Sequence, residues 1–267
     1  MISRFASAWL IGASAVVALA TSSGLATAGN ITFTTVTDSA VIAGTPSTPG
    51  LKGGVYFYSA TQGISGAAGN GSGGTGASAP GLAGLVTAAN FVNSTTPNAS
   101  YAASHFNYSG GDTTPTNTFL GADSNGTAAS DSTPLESTVL DATGYVDVGV
   151  AGTYTFSMNA DDAGAIYVDG TPGVAGSGTM VVGANYGNGG QTGSVDFTSA
   201  GVYQVEILYY NSTAYPYAGG AGFNFSTGVP AGGSLTYYAS VPEPATLGLM
   251  GLAGLGILLL PRRKRVG

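Results

Sequence analysis

Two adjacent carboxylates, Asp161 and Asp162, stand in Asn159-Ala160-Asp161-Asp162-Ala163-Gly164, between two segments of strand-like alternation. No Lys or Arg is nearby in the chain, so a turn that places both on one side is costly unless they share a cation. An oxygen-only set suits calcium, which takes roughly six to eight oxygens from carboxylates, amides, main-chain carbonyls and water. A solvent-exposed Asp-rich turn is the other reading of the same residues. Other chemistries find less support. With no Cys there is no thiolate nucleophile or ligand, and the lone His, His105 in Ser104-His105-Phe106, rules out a multi-His metal cluster. Glycoside hydrolysis needs two carboxyl groups roughly 5 to 9 Å apart. Glu136 and Glu206, the glutamates between the chain's two ends, carry no marks of an acid and a base, and Glu206 falls on the polar face of its expected strand. No Gly-x-Ser-x-Gly elbow occurs. The expectation is therefore a binding protein and not an enzyme.

The elements that position these residues read as β. The chain has 267 residues, 45 of them Gly, with 43% hydrophobic and only 7% charged side chains. The formal charge of -7 and the pI near 4.2 have the wrong sign for a nucleic-acid partner. Residues 152–160 alternate Tyr154, Phe156 and Met158 with polar neighbours, and residues 201–210 alternate Tyr203, Val205, Ile207 and Tyr209 in the same way. Shorter strands are expected at 31–36, 55–59, 144–150, 165–168, 179–182, 194–197, 221–225 and 235–239. Many short strands separated by turn residues predict an all-β fold, an antiparallel β-sandwich of the jelly-roll kind. No stretch shows a sustained helical period, and the Gly/Ala/Ser-rich residues 63–84 are expected to form a flexible loop. That loop has no Lys and no framing strand and helix, as a phosphate cradle would need.

Both ends read as addresses. Arg4 precedes an apolar run at 8–20, and Ala26-Thr27-Ala28 forms a small-residue cleavage site before Gly29. Residues 1–28 are thus expected to be a secretory signal peptide, cut between Ala28 and Gly29. At the other end, residues 245–260 carry no charge and would span about 24 Å as a helix, short for a hydrocarbon core of about 30 Å. Arg262, Arg263, Lys264 and Arg265 follow, which would leave this tail in the cytoplasm and the preceding domain outside. Val241-Pro242-Glu243-Pro244, a short apolar helix and a basic end resemble the PEP-CTERM sorting signal. The resemblance implies processing by an exosortase in a Gram-negative bacterium that makes exopolysaccharide, with the inner membrane holding the helix beforehand. Val241, Pro242, Glu243 and Pro244 would be sorting residues. The domain between, 29–240, holds twelve acids and one Lys, hence -11.

Four further pieces carry a second resemblance: Gly50-Leu51-Lys52-Gly53-Gly54-Val55-Tyr56; Gly152-Thr153-Tyr154-Thr155-Phe156-Ser157 running into Asp161-Asp162; Ile166-Tyr167-Val168-Asp169-Gly170; and Gly201-Val202-Tyr203-Gln204-Val205-Glu206-Ile207 running into Tyr210-Asn211. Together, residues of about 50–228 resemble the lectin-type domain named after the anthrax protective antigen and found in yeast flocculin adhesins. In the flocculin branch, paired Asp residues joined by a cis peptide hold calcium with an Asn and two main-chain carbonyls of a second loop. The resemblance implies Asp161, Asp162, Asn211, Thr213 and Tyr215 as calcium ligands, with Tyr215 and Tyr217 beside a carbohydrate. Tyr215 stands where the flocculins have Trp, and their disulfide cysteines are missing here. The implied function is an exported adhesin-like protein that binds glycan or exopolysaccharide through calcium, at the cell surface or in a biofilm matrix. The alternative is a structural surface protein of the same fold that binds no glycan.

Overall fold

Period-two alternation buries one side of strands such as Gly152–Asp161 and Gln191–Phe197, and here it builds two sheets that share their apolar faces. The protein is described from a computed structural model covering residues 35–38, 46–62, 64, 80–185, 190–212 and 220–241. Signal-peptide residues, Ala28 and Gly29 with them, lie outside these, as do most of the Gly/Ser-rich loop and Thr213, Tyr215 and Tyr217. Pro242, Glu243, Pro244 and the apolar run 245–260 lie outside them as well. Among the described residues, no helix is long and apolar enough to cross a membrane.

In chain order the strands are β1 (Val36–Asp38), β2 (Thr48–Pro49), β3 (Leu51–Phe57), β4 (Ala99–Ala103), β5 (Asn107–Gly111), β6 (Thr138–Val148), β7 (Gly152–Asp161), β8 (Ala163–Val168), β9 (Thr179–Asn185), β10 (Gln191–Phe197), β11 (Gly201–Asn211), β12 (Gly220–Gly228) and β13 (Leu235–Ser240). Two α-helices, α1 (Pro80–Ser94) and α2 (Thr116–Leu120), accompany them. One sheet runs β1-β10-β7-β12-β5, and the other runs β2-β13-β6-β11-β8-β9, with β3 joined to β6 and β4 to β3. Pairing is antiparallel except between β1 and β10, which run parallel. Lys52, the one Lys or Arg among the described residues, lies on β3 opposite Ala102 of β4 and Thr143 of β6.

Between the sheets, Tyr154, Phe156 and Val195 of one meet Leu140, Val146 and Tyr203 of the other in a single buried cluster. Aromatic rings dominate it: Phe197 and Tyr203 stand 4.5 Å apart between centroids, and Phe156 stacks on Phe225 at 5.8 Å. A second cluster lies on the outer face of the larger sheet, where Leu85, Ala88, Ala89 and Val92 of α1 cover Ala163, Ala165, Leu208 and Tyr210.

This second layer corrects three expectations. The spacing of Leu85, Ala88, Ala89 and Val92 is a helical stripe, obscured in the sequence because two of its four members are Ala. Pro80 at the first turn, where a missing N–H is tolerated, starts the helix within the span expected to be a loop. Glu206, expected on a solvated face, is 1% exposed because that face is roofed by α1 and the turn at Gly176. β4 and β5, rich in Ala, Gly and Ser, carry too little apolar alternation to be anticipated.

Candidate functional site

The site gathers at one end of the sandwich, where three strands finish. Asp161 closes β7 opposite Gly222 of β12, and Asp162 forms the turn into β8. Their connecting peptide bond is cis. Asn211 ends β11, the strand beside β8. The backbone N–H of Ser212 donates to Asp162 Oδ2 at 2.6 Å, so the start of the second loop is tied to the Asp pair. Tyr209 holds the turn from beneath, its hydroxyl donating to the Asp161 carbonyl at 2.6 Å.

Asn211 is almost fully buried, 1% exposed. Its Nδ2 donates to Asp112 Oδ1 at 3.1 Å and to the Leu135 carbonyl at 3.3 Å, which commits the amide hydrogens and leaves Oδ1 as its ligand atom for a cation. Tyr58 donates to the Asn211 carbonyl at 2.8 Å and fixes the backbone there. Asp112, just beyond β5, was not anticipated. It follows Gly110-Gly111, and only the pairing of β5 with β12 brings it beside residues some fifty and a hundred positions away.

Electrostatics at this end are those of unneutralised acids. Burial, then the neighbouring charges of Asp162 and Asp112, push the Asp161 carboxyl up to about 7. Asp162 rises to about 6, through burial and the Asp112 charge, against the lowering effect of the Ser212 N–H. Among the described residues, no group of three or more His, Cys, Asp or Glu could hold a metal ion. The donor set present is two half-buried carboxylates and one oriented amide oxygen, all hard oxygens of the type calcium takes. Thr213, Tyr215 and Tyr217 would have to supply the rest and lie outside the described residues.

Two other groups considered from the sequence sit elsewhere. His105 is bonded through Nδ1 to Asp123 at 2.9 Å, and Asp123 also accepts from the backbone N–H groups of Ser104, His105 and Phe106 and the Tyr108 hydroxyl. The Ser104 hydroxyl lies 3.0 Å from the same Nδ1 and donates to Asp123 Oδ1 at 3.1 Å, so this is an ordering network around a buried carboxylate. Glu206 accepts from the Gly176 N–H at 2.8 Å under α1, whereas Glu136 is exposed.

Residues 80–229 match the family model of the PA14 domain. The chain belongs to the PA14 domain family. The match starts later than the expected limit near residue 50, although β3 (Leu51–Phe57) pairs with β6 inside the matched span. Residues 240–264 match the PEP-CTERM protein-sorting motif. None of the curated proteins matches the chain. A solved subtype-switched epithelial adhesin 9 A domain from Candida glabrata, in complex with beta-lactose, is 12% identical with a TM-score of 0.51, over 78% of this chain and 96% of that one. A PA14 sugar-binding domain from an RTX adhesin is 23% identical with a TM-score of 0.46, over 73% of this chain and all of that one. The PA14 domain of the antifreeze protein MpAFP is 18% identical with a TM-score of 0.47, over 77% of this chain and 99% of that one. At this identity the adhesin likeness speaks for the PA14 fold.

Proposed function

We propose that this PA14 protein is an exported surface lectin that binds a carbohydrate reversibly through calcium. Asp161, Asp162 and the Asn211 amide oxygen would hold the ion, with the Thr213 and Tyr215 carbonyls, and Tyr215 and Tyr217 would lie against the sugar. The observation that carries this reading is the meeting of the Asp161 and Asp162 carboxylates with Asn211 at one end of the sandwich, where burial raises both acids and no Lys or Arg pairs with them among the described residues. A divalent cation supplies the missing charge, and its open coordination positions accept vicinal sugar hydroxyls. No bond is made or broken in this reading. The named ligand of the epithelial adhesin structure, beta-lactose, supports a glycan as the class.

The PEP-CTERM motif supports sorting to the cell surface or the extracellular matrix by an exosortase, after residues 1–28 have directed export. The apolar run 245–260 would hold the chain in the inner membrane until processing, and an exopolysaccharide of the same matrix would be the partner.

Thermal melting of the full chain in mild detergent, with calcium, magnesium or a chelator, tests the site. Calcium should raise the midpoint as its concentration passes the dissociation constant, and Asp161→Asn and Asn211→Ala should each abolish the rise. An unchanged midpoint at millimolar calcium would sink the calcium-lectin reading and leave a structural surface protein.

A further inference from the structure

The outer faces of the two sheets are treated differently. That of the larger sheet is roofed by α1, whereas that of the five-stranded sheet holds an open trough of about 520 Å³. Strand register defines its floor. Asn107 of β5 lies opposite Asn224 of β12, which lies opposite Asn159 of β7. In the adjacent row Ser226 faces Ser157, and Ser157 faces Thr192 of β10, the last two with hydroxyl oxygens 3.3 Å apart.

Side chains alternate along a strand. Met158 and Phe223 point into the core, so Asn159 and Asn224 point out, and both are exposed. Directly opposed residues on antiparallel strands have Cβ atoms about 5 Å apart, so three amides form a continuous row. At one end of the trough stands His105, whose ring is held by Asp123 through Nδ1 and is largely exposed. At the other, Asp161 is two residues beyond Asn159 on the same face of β7, about 7 Å along the strand. The trough therefore leads into the Asp pair.

Its chemistry is narrow. Apart from His105 the lining carries no ionisable side chain, and each amide or hydroxyl group both donates and accepts, as sugar hydroxyls do. An anionic chain would find no Lys or Arg there and would meet Asp161. A flat apolar ligand would leave the amide row unpaired, at a cost in desolvation.

We propose that this trough is an extension subsite for a neutral oligosaccharide, taking the sugar residues that follow the one held at Asp161 and Asp162. The carbohydrate class rests on the lectin reading above, whereas the trough itself rests on register and lining alone.

The test is binding of the full chain to immobilised neutral gluco-, galacto- and manno-oligosaccharides, each series graded from mono- to hexasaccharide. Wild type, Asn159→Ala/Asn224→Ala and Asp161→Asn are compared with calcium and with chelator, and melting curves show that each variant is folded. In the wild type, affinity should rise about tenfold or more with chain length, as a few added hydrogen bonds allow. The double variant should flatten that gain. A double variant that keeps the full gain overturns the trough, as does a wild type with no gain or no binding in any series. The calcium reading fails separately: binding that survives both chelation and Asp161→Asn overturns it, while the length dependence still judges the trough.

Discussion

At Asp123, burial and hydrogen bonding pull in opposite directions. Burial raises its carboxyl, but bonds from His105, Tyr108 and the backbone N–H groups of His105 and Ser104 outweigh this and hold it below 3.8. Its stabilising effect is therefore present above the unfolded value and lost as pH falls through the folded one. Asp123→Ala should cost about 3 kcal/mol in urea denaturation at neutral pH, because six donors lose their acceptor. The penalty should shrink in acid. Glu206 has the opposite sign: burial pushes it up to about 7 from 4.5, against the Gly176 N–H, while Asp141 beside it is raised by burial and by the Glu206 charge. The folded state thus holds its proton longer, and stability is lost as pH rises through about 7. At fixed calcium, Glu206→Gln should give a melting midpoint that falls less than wild type's between about pH 4.5 and pH 7. The Asp pair and Asn211 were legible as residue types at loop ends. Asp112 was not, since a charge that acts through tertiary proximity leaves no local pattern.

At the scale of elements, the long strands were legible because Tyr154, Phe156 and Met158, or Tyr203, Val205 and Ile207, write their burial directly into the alternation. β11 shows the limit of that signal. It is buried on both faces, so Gln204 and Glu206 look like solvent positions in the sequence and are roofed in the fold. What hid the roof was the small size of the α1 contacts. Leu85 is fully buried under the helix, and Leu85→Ala should cost about 2–4 kcal/mol in chemical denaturation. Val86, 63% exposed on the same helix, should tolerate Ala to within about 0.5 kcal/mol. On β10, a Cβ at Gly193 would run into the carbonyl oxygen of Val181 on β9, where the two sheets approach. Gly193→Ala should lower the melting midpoint without altering the calcium response, which depends on the far end of β7.

Over the whole molecule, the ladder β3 with β6, β5 with β12 and β1 with β10 joins segments that are distant in the chain. Such pairings must close large loops before they gain anything, so refolding from urea, followed by tyrosine fluorescence, should take milliseconds to seconds, far slower than a helical bundle of this size. The same topology brings Asp161, Asp162, Asn211 and Asp112 together at strand ends, which is why a sandwich with so few charges can still concentrate three acids within one another's field. The paired position of Lys52 has a different consequence. An endopeptidase that cuts only after Lys or Arg finds one target between Arg4 and Arg262, and that target is stitched into ladders on both sides of β3. Such a chain resists tryptic digestion while folded. Once unfolded it is cut after Lys52, and residues 53–262 remain one long fragment with no internal site for such an enzyme.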